Sequence, residues 1–536
     1  MQRCRRASAL LEGRGSTPQD VMLDLSPFLI STAIPYANGE PHFGHAYERI
    51  ATDAFARFQR LDGRDVLFVT GMDEHGQKMQ RTAEAHAMTP LAFADRIAAK
   101  FAAMGEALNA RADDVVRTTE TRHRAAAIAI WEAMAAKGDI YLSNYAGWYS
   151  VRDEAFFDEA ELLTDAAGAK RTKDGAPVEW VEEASYFFRL SAFGERLLAH
   201  YESHPEFITP IPYRNEIVAF VKRGLKDFSV SRTTFDWGIP VPGDPAHVMY
   251  VWVDALTNYL TATGYPDPSA ARARFWPAAA HVIGKDITRF HAIYWPAFLM
   301  SAGLALPHQI VVHGFLFNRG EKMSKSVGNV IDPMGMAARY GVDPLRYFLL
   351  REVIFGQDGS YADEAIMARN NADLANDLGN LAQRSLSMIA KNCDGKMPVL
   401  QALSPGDADL LAAAATLLPL SRAAMTNYQP HLMLADIWKV IGETNRHFAN
   451  AAPWLLRKSD PAGMAHVLAL TASVLRQVAL LLQPVMPQSM AHLLDGLGVA
   501  PEHRSFVDYA TAVAPGTPLP PPVALFPRQS EPETAA

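Results

Sequence analysis

The chain is 536 residues long, 49% hydrophobic and 20% charged, with 50 Lys and Arg against 58 Asp and Glu for a net charge of −8. That length exceeds one ordinary domain and implies three or four, in a composition ordinary for a globular protein. No run of 18 apolar residues is present, so no membrane span is expected, and the acidic balance argues against a generally basic nucleic-acid coat.

In chain order, residues 1–25 read as a loose extension containing Arg3, Arg5, Arg6 and Arg14. An Arg-rich mitochondrial transit peptide is one reading; the other is an unstructured leader with Met22 as an internal start. Glu12 and Asp20 dilute the basic character and favour the second. Apolar runs at Phe28 to Thr32 and Val66 to Thr70 are read as buried strands, each leading into helical sequence, and helices are expected over Leu91 to Leu108 and His123 to Lys137. Residues 26–137 therefore read as the first half of a doubly wound parallel sheet, an α/β Rossmann-like unit. From 138 to 245 aromatic residues sit among Gly, Pro and acidic residues, which suggests an inserted, partly β connective domain.

Sheet sequence resumes over 246–320, with Val248 to Val253, His281 to Gly284 and Gln309 to His313 read as strands and His291 and Trp295 on an intervening helix. A loop and contact region follows over 321–375. Residues 376–500 are helical in pattern, with amphipathic stretches at Asn376 to Lys391, Asp407 to Met425, His431 to Ala451 and Gly463 to Leu482, and read as an all-α helix bundle. The Pro-rich tail over 501–536 either wraps back onto the bundle or stays disordered.

Two short stretches carry the chemistry. His42-Phe43-Gly44-His45 lies where a strand and a loop give way to a helix, the arrangement in which unpaired backbone N–H groups and the helix dipole favour an anion. His42 and His45 share one helical face, and Gly44 leaves the backbone open to a nucleotide. Lys322-Met323-Ser324-Lys325-Ser326, flanked by Gly320 and Gly328, reads as a mobile loop whose two ammonium groups can close on a departing pyrophosphate. Each alone has a bland reading, a chance tetrapeptide or a solvated basic loop; together they point to attack at the α-phosphorus of ATP.

The pair resembles the signature motifs of class I aminoacyl-tRNA synthetases, and residues 26 to 500 resemble methionyl-tRNA synthetase. The resemblance implies a ligase that activates L-methionine with ATP and Mg²⁺ and transfers it to tRNA(Met). It implies His42, His45, Lys322 and Lys325 as catalytic, with Gly44, Glu48, Gly284 and Asp286 completing the ATP site. It implies a methionine pocket from Ala33, Ile34, Tyr36, Asp73, Trp252, Ala255, Tyr259, His291 and Trp295, with Arg232 supporting the active centre and Asn380, Arg384 and Trp454 reading the anticodon. Taken singly, each aromatic is ordinary core, Asp73 an ordinary helix cap, and Asn380 and Arg384 a solvated face. Local basic groups such as Arg214, Lys222, Arg223 and Lys226 suit phosphate contacts.

Only Cys4 and Cys393 are present, which suggests a reducing compartment and excludes the thiolate zinc knuckle many of these enzymes carry, so no metal site and no zinc is expected. The stretch between the two signatures leaves no room for the editing domain of the isoleucine, valine and leucine enzymes, and the cysteine enzyme needs zinc ligands. A tRNA-binding protein without catalysis would have no reason to keep all four signature cations, and a small-molecule adenylyltransferase would not need the helix bundle. The absence of an appended C-terminal tRNA-binding module points to a monomer; the compartment expected is a bacterial cytoplasm rather than a mitochondrion.

Overall fold

The structure is a computed structural model that describes residues 26–152, 155–157, 159–165, 168–322 and 331–530. Its centre is a six-stranded, all-parallel sheet of β1 (Pro27–Thr32), β2 (Asp65–Met72), β3 (Asp114–Arg117), β4 (Ile208–Thr209), β5 (Ala279–Gly284) and β6 (Gln309–His313) in the order β3-β2-β1-β5-β6-β4. The strands are short runs of Val, Ile, Leu and Ala, and β5 and β6 are buried at every position, as expected of a sheet covered on both faces. Strand order reverses between β1 and β5, so the crevice for a ligand opens at their carboxyl ends. Helix α1 (Phe43–Leu61) leaves that edge and buries Phe43, Tyr47, Ile50, Phe55 and Phe58 against the sheet.

The strand-rich insertion is a separate antiparallel sheet in which Ile140–Ser150 pairs with Glu179–Phe188 from Ile140↔Phe188 to Tyr149↔Glu179. Within the same span, Ile208–Thr209 returns to the main sheet as β4, and the helix Ile211–Lys222 beside it carries Arg214 and Lys222 and ends at Arg223. One strand expectation is corrected. Val248 to Val253 is divided: Asp244–Met249 pairs antiparallel in a small sheet with Ser231–Arg232 and Pro240–Val241, and Val251–Leu256 is a helix. A short apolar run has no period that distinguishes strand from buried helix.

The C-terminal helices Pro405–Thr426, Pro430–Ala451 and Pro461–Leu482 match the expected stretches, and each begins at a proline whose missing N–H costs nothing in the first turn. Ser404 and Asp407 form a capping box on the first, and Asp460 caps the third. Two helices, Pro405–Thr426 and Pro461–Leu482, are long and apolar enough to cross a bilayer; 78% of the latter's apolar window is buried in the bundle, which accounts for its composition as core. The tail wraps back: Met397 N donates to Thr517 O at 2.9 Å, Leu519 N to Gly395 O at 2.8 Å, and Gln529 Nε2 to Tyr340 O at 2.7 Å.

Sheet and bundle meet at Arg346, which is fully buried. Its Nη2 pairs with Asp53 of α1 at 2.6 Å and donates to Pro484 O at 2.8 Å, its Nε donates to Val485 O at 2.9 Å, and its Nη1 reaches Asn109 O at 3.1 Å. Replacing Arg346 with Met leaves Asp53 paired with the partly exposed Arg57 and near Arg49 among the described residues, and is expected to cost about 3 kcal/mol in urea unfolding. Adding Asp53→Leu should recover part of that loss; a single-variant cost below about 1 kcal/mol would show that the junction does not depend on this pair.

Candidate active site

A cavity of about 590 Å³ opens at the carboxyl ends of β1, β2, β5 and β6. It brings together most of the expected residues: Ala33, Ile34 and Tyr36 after β1; His42, Gly44, His45 and Glu48 on α1; Asp73 after β2; Trp252, Ala255 and Tyr259; and Gly284, Asp286 and His291.

His42 is the N-cap of α1, with extended backbone at φ −131° and ψ 173°. Its Nδ1 accepts from Gly44 N at 3.1 Å, while His45 Nδ1 accepts from His42 N at 3.2 Å, a reciprocal capping box made of two imidazoles. The rings stack at 3.7 Å between centroids. Because both Nδ1 atoms are acceptors, the neutral rings carry their protons on Nε2, and the cap fixes the tautomer that donates at the helix N-terminus. Gly44 has a second reason beyond backbone access: a Cβ there would sit 3.0 Å from His42 Cε1 and 3.1 Å from Nδ1, against the capping ring.

Glu48 does not stand alone. His313, at the end of β6, meets Glu48 Oε2 through Nε2 at 2.8 Å and Gly314 O through Nδ1 at 2.8 Å. Two acceptors facing both ring nitrogens select the imidazolium. Burial works against that charge, but the hydrogen bond and charge of Glu48, with Gly314 O and Asp286, raise the His313 pKa above its ordinary value. Sequence reasoning placed His313 on its strand without giving it a role; its position at the carboxyl end of a central strand was the available signal. Lys78 and Arg152 also line the cavity and were likewise not singled out.

The turn after β2 is tied to the loop after β1, with Asp73 N donating to Pro35 O at 3.0 Å and Ala37 N to Asp73 O at 2.8 Å. At the other wall, His291 Nδ1 donates to Ile287 O at 3.0 Å, which leaves Nε2 to accept from Tyr259 OH at 2.8 Å. Burial pushes the His291 pKa down to about 4, so the ring is neutral. Trp252 stacks on Phe290 at 3.7 Å. Two residues expected at the active centre, among those whose side chains are described, lie outside the lining. Trp295 is fully buried behind Tyr259, with 6.3 Å between ring centroids, so it packs behind the wall. Arg232 is buried between the rings of Tyr250 and Tyr149, at 4.6 and 5.2 Å, and joins the insertion to the small sheet.

Lys322 ends a two-residue strand, Glu321–Lys322, paired with Leu316–Asn318. Lys325, with the rest of the second signature, lies outside the described residues. Among the described residues no group of three His, Cys, Asp or Glu is arranged to hold a metal ion. Far along the chain, Asn380 and Arg384 are exposed on the helix Asn380–Asn392, and the Arg384 guanidinium lies 5.0 Å from the ring of Trp454, itself 43% exposed. An exposed indole with a cation over its face is a platform for an unpaired base.

A parallel sheet whose switch point holds an imidazole-capped helix, an aromatic pocket and carboxylates, joined to a helical domain bearing such a platform, defines a class I synthetase architecture. Residues 28–386 match the family model of class I (M) tRNA synthetases and residues 401–536 that of the anticodon-binding domain of methionyl tRNA ligase. The methionine–tRNA ligase of Brucella suis is 61% identical over 505 residues, 94% of this chain and 98% of its own length. That of Rhizobium meliloti is 59% identical over 515 residues, 96% and 100% of the two chains. The structure of Mycobacterium tuberculosis methionyl-tRNA synthetase in complex with methionyl-adenylate, 55% identical, superposes with a TM-score of 0.92 over 94% of this chain and all of that one. The chain belongs to the methionyl-tRNA synthetase family.

With its folded pKa raised, His313 contributes stability that is present in full below its unfolded value, near 6.5, and fades as pH rises through the folded value. The melting-temperature gap between the wild-type protein and His313→Gln should therefore narrow as pH is raised from about 6 to about 9. A gap that widens over that range would mean a neutral His313.

Proposed function

We propose that this chain joins methionine to tRNA in two steps within the one cavity. A methionine carboxylate oxygen attacks the α-phosphorus of ATP, forming the mixed anhydride as the bond to pyrophosphate breaks; a hydroxyl of the terminal adenosine of tRNA(Met) then attacks the carbonyl carbon and releases AMP. The observation that carries this reading is the joint presence, around one cavity, of the imidazole cap of α1 and the Tyr259 and His291 wall.

No base is needed for the first step, because the nucleophile is already an anion at neutral pH. The work is positioning and stabilisation of charge as it moves to the leaving group. His42 and His45 hold phosphate oxygens through Nε2–H, with Lys322 and Lys325 closing from the second signature. Asp286, beside Gly284, holds the ribose, and Glu48 is held in place by His313. ATP arrives as its Mg²⁺ complex, in which the cation neutralises phosphate charge; zinc has no part. Asp73 pairs with the α-ammonium of methionine. Ala33, Ile34, Tyr36, Trp252 and Ala255 enclose the thioether, a group best recognised by polarizable and aromatic walls. Tyr259 and His291 set the polar end of that wall, Trp295 supports it from behind, and Arg232 holds the insertion against the core. Asn380, Arg384 and Trp454 read the anticodon.

The relatives named above are bacterial, which supports a bacterial cytoplasm with no membrane association. The chain is read as acting as a monomer on ATP, L-methionine and tRNA(Met).

Replacing His45 or Lys325 with Ala should lower the rate of methionine-dependent exchange of pyrophosphate into ATP by about 10²- to 10³-fold, as for one preorganised donor, with unfolding unchanged. A full rate in either variant would remove that residue from the site. Trp454→Ala should weaken tRNA charging by at least about tenfold, the lower range for one lost base stack, while leaving exchange intact. Loss of both activities would make Trp454 structural.

A further inference from the structure

Behind the cavity lies a buried ionic cluster that the steps above do not use. Asp254, 1% exposed, accepts from His75 Nδ1 through Oδ2 at 2.6 Å and from His123 Nε2 through Oδ1 at 2.7 Å; His123 Nδ1 meets Thr261 Oγ1 at 3.0 Å. Burial alone would raise the Asp254 pKa, yet the charges and hydrogen bonds of His75 and His123 hold it down at about 2. Apolar groups of the same volume would bind these segments together without the desolvation cost of a buried carboxylate. Adhesion is therefore an incomplete explanation: His75 and Asp254 join two elements that each carry part of the cavity, and His123 braces Asp254 from a helix outside it.

His75 lies two residues after Asp73, and Asp254 lies between Trp252 and Ala255. The turn holding Asp73 is anchored in opposite directions by its next two side chains. Glu74 reaches Arg117 Nε at 2.6 Å and Thr119 Oγ1 at 2.5 Å, and its carbonyl accepts from Trp237 Nε1 at 2.6 Å. His75 crosses the other way, to the helix Val251–Leu256. On the far side His123 fixes Asp254 from the helix Thr121–Ala136.

We propose that His75, Asp254 and His123 form a positioning relay that sets the separation between the Asp73 carboxylate and the wall of Trp252 and Ala255, and so the affinity for an amino acid gripped at both its α-ammonium and its side chain. The proposal rests on the reading of Asp73 and Trp252 given above. The three are positioning residues. ATP, held by α1 and by the turn after β5, is outside the relay's reach, so its effect falls on one substrate.

The test compares His75→Asn, whose amide nitrogen stands near the Nδ1 position, with His75→Gln, which carries it one methylene further. Methionine-dependent exchange is measured on the full chain, with melting temperatures recorded for each variant. His75→Gln should raise the KM for methionine about tenfold, the scale of one weakened hydrogen bond to a charged group, while His75→Asn raises it less than about threefold and both leave the KM for ATP unchanged. A methionine KM equal to wild type in His75→Gln, or equal rises for methionine and ATP, would overturn the relay. Asp73→Asn serves as the control on the underlying reading: if it leaves the methionine KM unchanged, Asp73 does not bind the ammonium, whatever the His75 variants do.

Discussion

The Arg346 guanidinium is the contact on which the relation of the two halves depends. Its planar fork spends donors on three separate segments at once: Asp53 in the middle of α1, the carbonyls of Leu108 and Asn109 after the helix Pro90–Ala107, and those of Pro484 and Val485 at the end of the bundle's central helix. A lysine has one nitrogen and cannot serve all three. Because α1 also carries His42 and His45 at its N-terminus, the helix that presents the imidazoles is the one locked to the bundle. The orientation of the exposed Trp454 indole is thereby referenced to the same rigid element as the His42 and His45 cap.

Around the cavity the same economy recurs, with a group that maintains local structure also preparing the chemistry. The reciprocal caps of His42 and His45 satisfy two orphan helix donors and choose the tautomer in one step. Glu48 and His313 pair across α1 and β6 in the cavity wall, where the carboxylate raises the His313 pKa. His291 works in the opposite sense: bonded to Ile287 O and Tyr259 and deeply buried, it stays neutral in the opposite wall of the cavity. Two histidines of one cavity thus have their pKa values shifted in opposite directions, that of His291 lowered by burial and that of His313 raised, against burial, by Glu48.

Local geometry written contiguously was legible. The placement of the histidine motif at a helix start, the strand endings beside Asp73 and at Gly284, and the Asn380 and Arg384 helix face were readable because they follow from spacing of a few residues. Helix limits in the bundle were recovered to within a few residues, since prolines and Ser404 mark where the helices begin. Contacts that close over long separations were not: His75 and His123 reach Asp254 across 179 and 131 positions, and His313 reaches Glu48 across 265. Val248 to Val253 misled because a buried apolar run satisfies a strand and a helix equally. Trp295 was placed in the pocket because sequence cannot distinguish a wall from the layer behind it; the cavity lining, which includes Tyr259 and His291 but not Trp295, does.

The measurement that bears most directly on the account is amino-acid-dependent exchange of labelled pyrophosphate into ATP, without tRNA, across all twenty amino acids with Mg²⁺ and no added zinc. Exchange with methionine alone is the predicted result, since Tyr259, His291 and Trp252 shape one pocket and the α1 cap serves any activated carboxylate. Exchange with none of the twenty, or with a different amino acid, would contradict it.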